Sequence, residues 1–246
     1  MRVKTLSVLA LGLLLLALPV QAAEIACSVP PELMRDDPTL PRTAKRLKAR
    51  QPLTIVALGG GSTLGAMGDI PHSYPAQLET VLRKRYPGAE IKVLNKGIQR
   101  QTAQQMVERI KRDVLANEAT LVIWEPGTTE AARGLDAEQF AATLQTGIDM
   151  LKDAGVELML MDMQYGPNTV SVINFQPYLD NLHKVADLNE VYKLKRYEIM
   201  RHWSDNGTFD FRTVAKSRGN AGMELAGEVY HCLAERVADA IGYATE

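Results

Sequence analysis

The chain is poor in cysteine, histidine and aromatic rings. Of its 246 residues two are Cys and four are His, and Phe, Trp and Tyr together make 6%. Two cysteines exclude a disulfide-stapled scaffold and a cysteine-rich metal site, and leave room for one bridge. Neither sign of charge is in excess. Lys and Arg number 28 against 29 Asp and Glu, a formal net charge of −1, which argues against a nucleic-acid binder that works by neutralising many phosphates. An apolar content of 46% with balanced charge is not that of a disordered chain. The 18 Gly and 12 Pro are dispersed, without repeat or low-complexity tract, which rules out collagen-like and linker sequences. What remains is the length and composition of one domain with a sizeable core.

Long apolar runs are also scarce, with one exception at the start. Residues 6–18 are almost wholly apolar, follow Arg2 and Lys4, and precede Pro19 and the small-residue site Val20-Gln21-Ala22. That order predicts a secretory signal over residues 1–22, cleaved near Ala22. The run is shorter than the roughly 20 residues that cross a bilayer, so the mature chain is expected to lack a transmembrane segment. The expected location is the periplasm or the medium. There Cys27 and Cys232 can pair, pinning the N-terminal arm to the last helix; the alternative is two unrelated buried thiols.

Residues 23–52 hold Pro30, Pro31, Pro38 and Pro41 among mixed charges, end on Pro52, and read as an extended arm with a short helix around 42–50. A regular domain over 53–246 follows. Apolar runs predict strands at 53–58, 90–95, 119–124 and 156–162, with a short one at 191–194. Helical spacing covers 73–86, 102–116, 136–154, 174–188 and 220–241. Short strands alternating with amphipathic helices give right-handed βαβ units. The expected fold is a three-layer α/β/α sandwich with a flavodoxin-like parallel five-stranded sheet. Ligands of such sheets lie at the carboxyl ends of the strands, here loops 59–68, 95–101, 125–130 and 162–167.

The first of these loops, Gly59-Gly60-Gly61-Ser62-Thr63-Leu64-Gly65, lacks the lysine of a P-loop and has Leu64 where a dinucleotide fingerprint needs its third glycine. A tight strand-to-helix turn explains it, and no cofactor is implied. No His, Cys and Asp spacing suggests a metal site. The alternating Met159, Met161 and Met163 read as core packing.

Together the loops carry a resemblance. IVALGGGSTLGAMGD (55–69), VLNKGIQRQTA (93–103), LVIWEPGTTEA (121–131), MDMQYGP (161–167), IMRHW (199–203) and AGMELAGEVYHCLAERVADAI (221–241) occur in order along the chain. The sequence resembles the SGNH (GDSL-type) hydrolases, in particular exported proteobacterial members, and the resemblance implies their fold. It implies ester hydrolysis by a serine nucleophile and an Asp-supported histidine, with an oxyanion hole of the serine amide, a glycine amide and an asparagine side chain. Matched block by block, Gly61 falls at the nucleophile, Gly97 at the second-block glycine and Thr129 at the asparagine. Ala221 falls at the aspartate and Glu224 at the histidine, so only Gly97 is retained. Glycine has no oxygen with which to form an acyl-enzyme.

The expectation is a pseudoenzyme acting as a binding or regulatory module in the cell envelope, with a carbohydrate or a protein as partner. Gln99, Arg100, Glu125, Thr128, Gln164 and Tyr165 are the candidate cleft residues. The alternative is a divergent serine esterase or acyl-carbohydrate hydrolase in which Ser62, one residue along, takes the nucleophile's place. A base would then have to come from His72, His183, His202 or His231. These read as a loop residue, a solvated helix-face residue, a packing residue and a neighbour of Cys232 two turns from Glu224.

Overall fold

The computed structural model describes residues 27–212 and 220–246. The signal expected at 1–22 lies outside the described residues, as do residues 213–219. The sheet has five strands: β1 (Leu53–Gly59), β2 (Ile91–Gly97), β3 (Leu121–Glu125), β4 (Glu157–Met161) and β5 (Tyr192–Leu194). They lie in the order β2-β1-β3-β4-β5 and all pair in parallel, which is the flavodoxin-like arrangement. Continuous apolar runs form these strands because both faces are covered. Ile55 and Ala57 point into one core cluster, while Val56 and Leu58 point into the other.

Ten α-helices of the described residues surround the sheet. They are α1 (Pro41–Lys48), α2 (Gly61–Leu64), α3 (Tyr74–Arg85), α4 (Ala103–Glu108), α5 (Ile110–Asp113), α6 (Thr128–Arg133), α7 (Ala137–Asp153), α8 (Gln176–Leu188), α9 (Arg196–Asp205) and α10 (Asn220–Ala244). Leu78 and Leu82 of α3, Trp203 of α9 and Val237 and Ile241 of α10 fill one side of the sheet. Ile110 of α5, Leu144 of α7 and Leu182 of α8 fill the other. No helix of the described residues is long and apolar enough to cross a membrane.

Three local expectations are corrected. The single helix expected over 102–116 is two, because Arg109 between them leaves helical backbone geometry (φ −104°, ψ 3°). Its buried guanidinium turns inward to Gly59 O at 3.2 Å and Asp113 Oδ2 at 2.8 Å. Helices α6 and α9 had no counterpart in the sequence pattern, and α6 is too short to show a 3.6-residue period. The arm also packs more closely than an extended segment. Met34 and Leu40 are buried, Asp36 Oδ2 accepts from Lys193 N at 2.7 Å, and the Tyr192 hydroxyl donates to Met34 O. Cys27 and Cys232 are joined in a disulfide.

Candidate functional site

The register aligns Gly59 with both Gly97 and Glu125, so the carboxyl ends of β2, β1 and β3 form one ledge. The order in which successive strands are added reverses between β1 and β3, which opens a crevice there. Helix α2 sits on this ledge because two glycines let it approach. A β-carbon at Gly59 would fall 2.1 Å from Thr63 Oγ1, and one at Gly97 would fall 2.2 Å from Leu64 N. Asn95 locks the contact: its amide donates to Thr63 O at 2.8 Å, and its Oδ1 accepts from Gly97 N at 2.9 Å. The Gly97 amide is therefore already occupied within the protein.

Beneath α2 lies a buried polar cluster. Glu125 closes β3, and Arg196 opens α9 immediately after β5; both side chains are 1% exposed and pair at 3.1 Å. Glu125 Oε2 accepts from Ser62 Oγ at 2.5 Å and from Thr63 Oγ1 at 2.7 Å. The Arg196 guanidinium donates to Ser62 Oγ and to Gln164 Oε1, each at 3.2 Å. Burying such a pair is unfavourable unless its remaining donors and acceptors are used; four hydrogen bonds serve most of them, while Arg196 Nε has no partner among the described residues. Tyr74 is fully buried beside the pair. Burial first, and the negative charge of Glu125 second, push its phenol well above the usual tyrosine range.

Above the cluster is a cleft of about 550 Å³. Gly61, Ser62 and Thr129 line it, together with Gln99, Arg100, Glu125, Thr128 and Gln164 of the candidate cleft residues. Tyr165 instead lines an adjoining apolar cavity of about 170 Å³, which shares Gln164 and Tyr230 with the cleft. Glu224 is exposed on α10 and belongs to neither wall. The Ala221 side chain lies outside the described residues.

None of the four histidines lines the cleft. His72 is 71% exposed and pairs with Asp69, His202 bonds Asn206, and His231 bonds Gln77. His183 is not a freely solvated residue on the face of α8. Its Nε2 lies 2.9 Å from Asp162 Oδ2, and Asp162, just past β4, is 1% exposed. Burial pushes the Asp162 carboxyl up, against the hydrogen bond with His183, which pulls it down. The backbone N of Tyr197 donates to its other oxygen at 2.7 Å. This pair holds β4, α8 and the start of α9 together and thereby steadies Arg196.

The site therefore has a positioned hydroxyl between a carboxylate and a guanidinium. Among the described residues it has no imidazole to relay a proton from that hydroxyl. Arg196 was missed by the sequence reading. In the charged stretch Lys195-Arg196-Tyr197-Glu198 it looks solvated, and its one signal is its place directly after β5, at the carboxyl end of the sheet.

A three-layer sandwich with this sheet order, a cleft over the ends of β1 and β3, and the sequence blocks in the surrounding loops defines an SGNH-type hydrolase fold. The model of the Non-GDSL lipase-like family matches residues 26–246, and the chain belongs to that family. It is similar to an arylesterase of Vibrio mimicus, 25% identical over 114 residues, a stretch that covers 46% of this chain and 56% of that protein. Among solved structures, a putative lipolytic protein of the G-D-S-L family from Desulfitobacterium hafniense DCB-2 superposes with a TM-score of 0.55 at 21% identity. That match covers 74% of this chain and 98% of the other. A two-domain esterase (CEX) active on acetylated mannans gives 0.65 at 20% identity, covering 85% of this chain and 53% of that one. At these identities the structural matches show the shared fold.

Proposed function

We propose that the protein is an exported binding or regulatory module of the cell envelope, built on a hydrolase fold without the Ser-His-Asp machinery, and that its cleft takes up an envelope carbohydrate. One observation carries this reading. The cleft's best-placed hydroxyl, Ser62, is held between Glu125 and Arg196, with no imidazole lining the cleft among the described residues. Gly61 at the nucleophile position, Thr129 at the asparagine position and an exposed Glu224 at the base position support it. Without its triad a hydrolase keeps only the acceleration supplied by its binding groups. Purified protein is expected to turn over p-nitrophenyl acetate at the buffer rate and to resist a fluorophosphonate probe.

A second reading rests on the 2.5 Å contact from Ser62 Oγ to Glu125 Oε2, which places a carboxylate where a serine nucleophile needs an acceptor for its proton. The protein would then be a divergent serine esterase or acyl-carbohydrate hydrolase, as the names of its relatives suggest. Fluorophosphonate labelling at Ser62, with turnover lost in Ser62→Ala, would decide for this reading.

A further inference from the structure

Resting on the binding reading, we infer that the cleft selects a sugar carrying an anionic group. The ionisable side chains that line it among the described residues are Arg100, Arg133, Glu125 and Tyr230. Glu125 is cancelled by Arg196 at 3.1 Å. Burial pushes the Tyr230 phenol up, with Arg196 opposing, so it stays neutral at ordinary pH. That leaves two guanidinium groups with no carboxylate at ion-pair distance among the described residues. They share one wall, since Arg133 Nη2 donates to Arg100 O at 3.3 Å. Arg133 does feel the charge of Glu130, a buried carboxylate that accepts from Ala103 N and does not line the cleft. A cleft with low-dielectric walls and a net positive lining concentrates anions.

The rest of the lining suits a hydroxyl-rich ligand. Gln99, Gln101, Gln164, Thr128 and Thr129 offer amides and hydroxyls. Gln101 Oε1 and Thr128 Oγ1 are buried atoms without a hydrogen-bond partner among the described residues, a state in which a polar side chain gains from a donor it can turn to meet. Met67, 82% exposed in the turn after α2, also lines the cleft and adds an apolar surface for the C–H face of a sugar ring. The volume of about 550 Å³ is that of a small-molecule site. Guanidinium pairs bind carboxylate and phosphate alike, so the shared chemistry is an anionic sugar.

Titration calorimetry with tetragalacturonate, glucose 6-phosphate and neutral maltotetraose tests this, at low and high salt, on the wild type and on the Arg100→Gln/Arg133→Gln double variant. At least one anionic sugar should bind about tenfold or more tighter than maltotetraose and weaken at high salt. Which of the two binds tells carboxylate from phosphate. The double variant should lose about tenfold in affinity for it at an unchanged melting temperature, because both arginines are exposed and make no ion pair among the described residues. Equal binding of maltotetraose, undiminished binding by the double variant, or no binding of any of the three overturns the inference. Turnover with labelling of Ser62 would instead sink the pseudoenzyme reading and leave the charge preference standing as a property of an enzyme's cleft.

Discussion

A β-carbon built at Gly61 meets nothing closer than Gln99 Cγ at 3.7 Å, and the backbone there is one that any residue adopts. The missing hydroxyl is therefore not forced by the fold. Gly97 is the opposite case, because its β-carbon would collide with the backbone of α2 at 2.2 Å. Gly61→Ser is expected to change stability by no more than about 0.5 kcal/mol and to leave hydrolysis at background. Gly97→Ala should cost roughly 2–3 kcal/mol through overpacking. Urea denaturation of the two variants checks both, and a Gly61→Ser protein that fails to fold would refute the contrast. The sequence was legible here as far as residue identity goes: the blank at 61 could be read without coordinates. Two facts could not. Asn95 occupies the Gly97 amide, and Arg196 crosses the sheet to Glu125, a contact between segments remote in sequence whose local surroundings look solvated.

At the scale of elements, the strands were readable because burial on both faces writes itself as a continuous apolar run. The break between α4 and α5 was not, because it depends on Arg109 reaching Gly59 O, a contact outside the local pattern. Asp113 is what holds that arginine, at 2.8 Å. Hydrogen bonds from Arg112 first, and from Arg109 as well, pull the Asp113 carboxyl down to about 2 against the opposing effect of burial. A carboxyl depressed in the folded state stabilises it above its unfolded value of about 3.9, and this contribution is lost as pH falls toward the folded value. The wild type should therefore lose stability relative to Asp113→Asn between about pH 4 and pH 2, with the two curves converging at the acid end. At neutral pH the variant should be less stable by about 3 kcal/mol, because it leaves a buried guanidinium without its counter-charge. Urea midpoints across this range measure the difference, and parallel curves would show that Asp113 does not carry the acid-side loss.

Across the whole molecule, one covalent link governs the relation of the arm to the core. The Cys27–Cys232 bridge has a sequence separation of 205, so it closes most of the chain into one loop. The Arg236 guanidinium donates to Cys27 O beside it, and the arm's Met34 and Leu40 pack into the same core cluster as α10. Closing a loop this long removes much of the freedom of the unfolded chain, about 5 kcal/mol on the chain-entropy account, with measured effects of about 2–5 kcal/mol. Bridges of this kind are characteristic of oxidising compartments, which is the setting the expected secretory signal would supply. Protein expressed from the full 246-residue sequence and recovered from the exported fraction should have, by intact mass, an N-terminus at Ala23 and no alkylatable thiol. Reduced and alkylated under denaturing conditions and then refolded, it should unfold at lower urea, by an amount in the 2–5 kcal/mol range. Two free thiols in exported protein would dissociate the bridge from the compartment. An unchanged urea midpoint after reduction would mean that the packing of Met34 and Leu40 holds the arm without the cross-link.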